Sequence, residues 1–290
     1  MKKIILGAAV AAAFAFPALA EPVPPAVDAM IRAAGKDLET VVKVAKTAHP
    51  NSAAEIDALV AGLAAQREAE REQRLARASF FDEWTGSGEI GVNYTTGNTR
   101  DFGVMAGIGL TKDGLVLRHK LNGLIDRRKT NGVLTSNRAL AGYELNYKFT
   151  DQLYAYGLGG WERNAFAGFT RRFTESVGVG YSVFKTDVMF LDLTAGPAFQ
   201  QTRYVTGLKD NDTTARAAAD FGWKITDDLA FSEKAAILLG SQWTSTTALT
   251  FAMSEALSAR ASFDIIHENN PLAGRKATDT ASRFSLVYGF

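Results

Sequence analysis

The chain closes on Arg283-Phe284-Ser285-Leu286-Val287-Tyr288-Gly289-Phe290, and no other stretch constrains the fold as much. On an extended backbone Phe284, Leu286, Tyr288 and Phe290 share one side, while Arg283, Ser285, Val287 and Gly289 share the other. A strand that stops on an aromatic suits a soluble core badly, because a free carboxylate would sit beside an apolar face. It suits a membrane boundary, where the ring reaches the interfacial zone and the carboxylate stays in water.

Residues 1–20 read as a secretory signal: Lys2 and Lys3 are the positive start, Ile4 to Phe16 the apolar middle, and Ala18-Leu19-Ala20 the cleavage site. The mature chain is then expected to begin near Glu21. Removing Lys2 and Lys3 takes the formal charge from +1 to −1, so no basic excess points to nucleic acid or to anionic lipid. Cysteine is absent, so an exported chain of this length must close by hydrogen bonding and packing alone. Past the signal, no apolar run reaches the roughly 20 residues that a spanning helix needs. Only periodicity can separate a periplasmic protein from a transmembrane barrel.

In residues 21–83 the periodicity is helical. After Pro22, Pro24 and Pro25, the residues Val27, Met30, Ile31, Ala34, Leu38, Val41, Val42 and Ala45 recur at helical spacing, up to a break at His49-Pro50-Asn51. Ser52 and Glu55 have capping-box spacing ahead of a second stripe, Ile56, Leu59, Val60 and Leu63. From Gln66 to Arg77 charges alternate in sign and the stripe fades into a solvated helix or linker.

From Trp84 onward the period is two. Ile90, Val92 and Tyr94 alternate with Glu89, Gly91 and Asn93; Ala139, Ala141, Tyr143, Leu145 and Tyr147 oppose Arg138, Glu144, Asn146 and Lys148; Ala217, Ala219, Phe221 and Trp223 oppose Arg216, Asp220 and Lys224. A soluble barrel buries the apolar set and a membrane barrel exposes it, so alternation alone does not say which face is out.

Connections and aromatics decide between them. Residues 112–115, 150–153, 186–188, 226–229 and 254–257 read as tight acidic turns; 95–100, 127–134, 164–170, 203–211, 240–246 and 268–279 read as longer polar connections. Gly97-Asn98 is expected to be a hairpin turn. This alternation predicts an all-β fold over residues 84–290, an antiparallel transmembrane β-barrel of about 12 strands with about 9–11 residues in each. Both ends of an even-stranded barrel lie on the short-turn side, which makes 21–83 an N-terminal α-helical periplasmic extension. Tyr94, Tyr147, Tyr154, Tyr156, Trp161, Phe173, Trp223, Tyr288 and Phe290 fall near strand ends, as interfacial girdles require.

With apolar sets toward lipid, the residues expected to face the lumen are Arg118, Lys120, Arg138, Glu144, Lys148, Glu162, Asp192, Arg216, Asp220, Lys224, Lys234, Arg260, Asp264 and Arg283. They would make either an ion-paired interior that stiffens the wall or a narrow polar path for ions or small solutes. At this strand number long side chains leave a slender lumen, which favours a plugged or nearly plugged interior.

Several stretches carry a family resemblance: Tyr94-Thr95-Thr96-Gly97-Asn98-Thr99, Leu191-Asp192-Leu193-Thr194-Ala195-Gly196-Pro197, Asn269-Asn270-Pro271-Leu272-Ala273-Gly274, Thr278-Asp279-Thr280 and the closing strand. In order and spacing the region from Trp84 to Phe290 resembles the YdiY-like family of salt-induced outer-membrane proteins, a domain of unknown function. The resemblance implies an outer-membrane barrel and very little chemistry. Phe284, Leu286, Tyr288 and Phe290 also resemble the terminal signal read by barrel-assembly machinery, an expected partner beside outer-membrane lipid and lipopolysaccharide. Residues 21–83 are expected to meet peptidoglycan or a periplasmic protein.

Catalytic signals are weak. His49 precedes a proline, His119 falls on an apolar strand face and His267 opens the last connection, and neither His119 nor His267 has an obvious serine two residues away. No catalytic residue, cofactor or metal site is expected; Lys209-Asp210-Asn211-Asp212 lacks the acidic spacing of a calcium loop. The leading expectation is a non-enzymatic envelope or osmotic-stress role, with a narrow channel and an outer-membrane lipid-modifying enzyme as alternatives.

Overall fold

The computed structural model describes residues 21–95, 101–271, 273–274 and 276–290. The expected signal peptide, the Gly97-Asn98 turn and the side chain of Tyr94 lie outside the described residues. The chain divides into two compact units, residues up to 74 and residues 75–290.

The first unit holds α1 (Pro25–Ala33), α2 (Leu38–Ala48) and the start of α3 (Ala53–Arg77). Pro25 sits in the first turn of α1, where its missing N–H costs nothing. The stripe read as continuous from Val27 to Ala45 is two helices, because Gly35 turns the chain at a φ of +50°. Both stripes then fold onto the beginning of α3, where Ile31 and Ile56 are fully buried against Val27 and Ala45. Past Leu63 the side chains of α3 are mostly exposed, joined by pairs such as Arg71–Glu68 at 3.0 Å; such a pair contributes only a few tenths of a kcal/mol, roughly 0.2–0.5.

The second unit is a closed antiparallel barrel of twelve strands, in which each strand pairs with the next and the last with the first. They are β1 (Trp84–Thr95), β2 (Asp101–Asp113), β3 (Leu117–Thr130), β4 (Val133–Lys148), β5 (Leu153–Asn164), β6 (Phe169–Lys185), β7 (Met189–Tyr204), β8 (Lys209–Lys224), β9 (Leu229–Leu238), β10 (Gln242–Ala252), β11 (Leu257–Glu268) and β12 (Thr278–Gly289). Closure runs from Val92 opposite Phe284 to Ser87 opposite Gly289. One step further, Phe290 N–H donates to the Gly86 carbonyl at 3.0 Å and Gly86 N–H to the Phe290 carbonyl at 2.9 Å. A ladder closed in this way leaves no open edge, which hydrocarbon would not tolerate.

Sidedness follows the expected inversion. Ile90, Val92, Ile125, Val177, Val179, Phe284 and Leu286 are exposed, whereas Asp126, Asn146, Ser176, Gln200 and Thr202, on the opposite phase, are buried. A wall that is greasy outside and polar inside is that of a transmembrane barrel.

The five tight turns stand where expected, but most of the longer connections are not long. Strands run on past their expected ends, so that 131–132, 165–168, 205–208 and 239–241 suffice, and β6 reaches 17 residues rather than the expected 9–11. Polar residues go on alternating above the apolar band, and the ladder satisfies the backbone there as well as in lipid. Nothing therefore stops pairing at the membrane edge. Asn131 and Gly132, at φ +50° and +80°, close β3 onto β4 as a turn with both central residues left-handed. Lys209-Asp210-Asn211-Asp212 is strand, not loop.

At the end where the barrel begins and finishes, outward rings gather: Phe80 lies 5.8 Å from Trp84 and 5.5 Å from His119, and Tyr147 lies 5.3 Å from Phe149. The lead-in to β1 is held there by Lys112, which donates to the Ser79 and Phe80 carbonyls. Ser79 N–H donates to Asp82 at 2.8 Å and holds that carboxyl below its ordinary pKa. The turn's stabilisation is thus present at neutral pH and fades as pH falls through that lowered value. Tyr154 and Tyr156 do not join the girdle: each is 3% exposed and points inward. Glu175 faces outward with Val177 and Val179.

Backbones of β6 and β7 touch at Gly178 and Gly196, where an added Cβ would strike the Ala195 and Val177 carbonyls respectively. Gly178→Val or Gly196→Val should abolish the compact, heat-modifiable form on gels. Gly157→Ala, where a Cβ meets nothing within 4 Å, should leave it intact. Equal mobility for all three would show that this close approach is not needed.

Candidate functional site in the barrel interior

The inward phase of the wall brings charges together across the lumen. Arg283 on β12 donates through Nε and Nη2 to Asp126 Oδ2 on β3, at 3.1 and 3.0 Å, and through Nη1 to Asp264 on β11. Thr246 extends the chain beyond Asp264 at 2.7 Å, and Ser136 extends it beyond Asp126 at 3.3 Å. The result ties β10 to β4 behind β1 and β2. Where the barrel closes, it is braced from inside.

A second network centres on Arg172 of β6, 5% exposed. Its guanidinium donates to Glu268 on β11 at 2.6 and 3.0 Å and to Gln242 on β10 at 2.6 Å, and lies 4.0 Å over the Phe169 ring. These partners sit across the barrel, so the side chains cross the hollow. The third network joins Arg118 on β3 to Asp192 on β7 at 3.6 Å and to Asn146 at 2.8 Å. Arg118 also covers Tyr154 at 4.9 Å, and Arg216 covers Tyr156 at 5.8 Å, which explains why those rings face inward. Gly180 leaves the room, because a Cβ there would strike the Tyr154 ring.

Between the networks lies a chamber of about 960 Å³, lined among others by Lys120, Glu144, Glu162, Arg172, Arg216 and Asp220. Both signs of charge line it, and most have a partner: Lys120–Glu144 at 3.4 Å, Arg138–Glu162 at 2.6 Å and Lys234–Asp220 at 3.6 Å. Lys148 pairs with Asp113 at 2.6 Å, and Arg260 with Glu89 at 3.4 Å. Lys224, beside the 225–228 turn, is exposed and has no ion-pair partner among the described residues.

The set expected to face the lumen left out Glu89, already placed on the polar phase, and Asp113, Asp126, Arg172, Gln242 and Glu268. Carrying the phase of Arg118, Lys120 and Asn122 on by twos reaches Asp126, the last residue before the expected 127–134 connection. Arg172 was hidden by the irregular register after Phe169. Glu233 was missed on the other face: it pairs opposite outward Phe221 and accepts from Ser245 at 2.7 Å and from Thr247. Two hydroxyls thus compensate a carboxylate on the lipid side.

The histidines do not assemble a catalytic group. His119 Nδ1 meets Tyr143 Oη at 2.8 Å, and His267 Nδ1 meets Thr278 Oγ1 at 2.8 Å with its ring stacked on Trp243. Among the described residues, no three His, Asp or Glu side chains are grouped to hold a metal ion.

A family model described as protein of unknown function, DUF481, matches residues 88–290. The chain belongs to this family. The match covers nearly the whole barrel, and the family's description assigns no activity. Among curated proteins, none matches the sequence. Among solved structures, the NanC porin is similar at a TM-score of 0.45 and 12% identity, over 70% of this chain and 98% of that one. An outer-membrane channel from Pseudomonas putida F1 is similar at 0.43 and 9%, over 74% and 100%. The KdgM porin in complex with disordered oligogalacturonate is similar at 0.41 and 13%, over 70% and 99%.

Breaking one side of a desolvated pair costs more than the pair contributes, about 3–5 kcal/mol, because a charge is left alone. Glu268→Ala should therefore lower the unfolding midpoint in urea clearly. The double variant Arg172→Met with Glu268→Met should recover most of the loss. A single variant as stable as the wild type would mean that water, not Glu268, neutralises Arg172.

Proposed function

We propose that this protein is a non-enzymatic barrel of the bacterial outer membrane, with residues 21–83 in the periplasm and an envelope role under osmotic stress. The observation that carries the reading is the set of ion pairs between strands that are not neighbours, Arg172–Glu268 and Arg283–Asp126 above all. Such pairs fill the hollow with fixed side chains and brace the wall against lateral strain. The stress role follows the family resemblance; the structure contributes the braced wall.

A second reading is a narrow channel for ions or small solutes, and the chamber of about 960 Å³ favours it. Lined with paired charges of both signs, it would give weak selectivity between anions and cations.

Single-channel recording in planar bilayers separates the two. On the leading reading the wild type gives no steady conductance steps, and Arg172→Ala, which removes a side chain crossing the lumen, creates them. Steady steps from the wild type, reduced when Arg216 is replaced by Trp, would make the channel the function. Assembly through Phe284, Leu286, Tyr288 and Phe290 is part of the same proposal: Phe290→Ser should reduce the folded fraction in the outer membrane several-fold. Undiminished assembly would remove the terminal aromatic from that role.

A further inference from the structure

At the barrel end opposite the 114–116 turn, charge is sorted by face. Arg171 on β6 stands opposite Arg203 on β7, and Arg203 opposite Lys209 on β8. Arg163 on β5, the strand next to Arg171, falls at the irregular step between Glu162, opposite Arg172, and Asn164, opposite Phe169. All four are exposed, and each adjoins an inward neighbour: Glu162 bonds Arg138, Arg172 bonds Glu268, Thr202 is buried, and Asp210 pairs opposite Thr202. The acids at this level, Asp210, Asp212 and Glu268, lie on the inward phase. Glu175 is the nearest outward acid along β6, about 13 Å below Arg171 at ~3.3 Å per residue.

We propose that Arg163, Arg171, Arg203 and Lys209 form a binding site for the phosphates of an outer-leaflet glycolipid. Like charges directly opposite one another on a sheet destabilise it. None of the four has an ion-pair partner among the described residues, so the protein itself leaves the repulsion standing. The row crosses four adjacent strands, about 14 Å at ~4.8 Å per spacing. It stands one outward position beyond exposed Phe173 and Gln201, at headgroup rather than acyl level. A contiguous row of cations at that height calls for a headgroup bearing more than one phosphate, which arginine meets by forked hydrogen bonds. A phospholipid with a single phosphate would engage only part of it.

The inference rests on the proposed orientation, in which this end faces outward. Native mass spectrometry of the purified barrel in detergent, titrated with bisphosphorylated lipid A, tests the site. Arg171→Gln with Arg203→Gln should weaken binding at least tenfold, and removing both phosphates from the lipid should weaken it as much. In lipid-free detergent the same double variant should melt no lower than the wild type, since it relieves repulsion and leaves the fold intact. Undiminished lipid A binding by the variant, or equal binding of phosphatidylglycerol, would overturn the proposal. Orientation has its own readout: with no native cysteine, Thr206→Cys should react with an impermeant maleimide on intact cells. Labelling only after lysis would overturn the orientation independently of lipid binding.

Discussion

A bilayer offers a polypeptide no hydrogen bonds, and every feature of this barrel answers that one constraint. Backbone groups are paired around a closed ring of strands, and the ring closes where β1 pairs with β12, from Val92 opposite Phe284 to the Gly86–Phe290 exchange. Once the ring is closed, period two leaves one remaining choice, which face is apolar. Exposed Phe284 and Leu286 beside buried Ser285 show how it is made. Many charges then face a narrow interior, where each costs solvation unless it meets its opposite.

Some ion pairs join neighbouring strands, as Lys120–Glu144 and Arg138–Glu162 do, but others reach far around the wall. Pairing with an adjacent strand would neutralise a charge but add little to what the ladder already holds. Arg283 instead reaches Asp126 past β1 and β2, and Arg172 reaches Glu268 across the hollow. The net stability of such pairs is modest, but an unpaired partner is costly, so they discriminate against any register or closure that would separate them. We take their main effect to be specification of one closed form. The tyrosines facing inward, Tyr154 and Tyr156, serve the same end by filling space under Arg118 and Arg216.

Much of the wall was legible in the sequence because its cause is local. Alternation such as Phe284, Leu286, Tyr288 against Arg283, Ser285, Gly289 needs no knowledge of the rest of the chain, and five acidic turns alternating with six longer connections were enough to count the strands. What could not be read depends on partners far away. Tyr-Ala-Tyr at 154–156 looks like a lipid face until Arg118, from β3, is placed over the ring. The strand extensions at 127–130 and 209–211 have loop composition, and only a paired neighbour makes them strand. Glu233 looks misplaced until Ser245 and Thr247 are set beside it. In the interior, the residues expected to face the lumen include both halves of pairs such as Lys120–Glu144 and Arg138–Glu162, but only one half of Lys148–Asp113, Arg260–Glu89 and Arg283–Asp126 and neither half of Arg172–Glu268. The helical stripe from 27 to 45 misled for a simpler reason, since spacing alone cannot show that Gly35 turns the chain.

The central claim is that the apolar phase of each strand meets acyl chains and the polar phase meets the hollow. A chain without cysteine permits single nitroxide labels at Ser285→Cys and Leu286→Cys, with accessibility to oxygen and to a polar nickel complex measured in lipid vesicles. The account predicts that the label at 286 collides strongly with oxygen and weakly with nickel, while the label at 285 is protected from oxygen. A label at 286 shielded from oxygen, with the label at 285 open to nickel, would contradict it, because Leu286 would then be packed in the core of a soluble barrel.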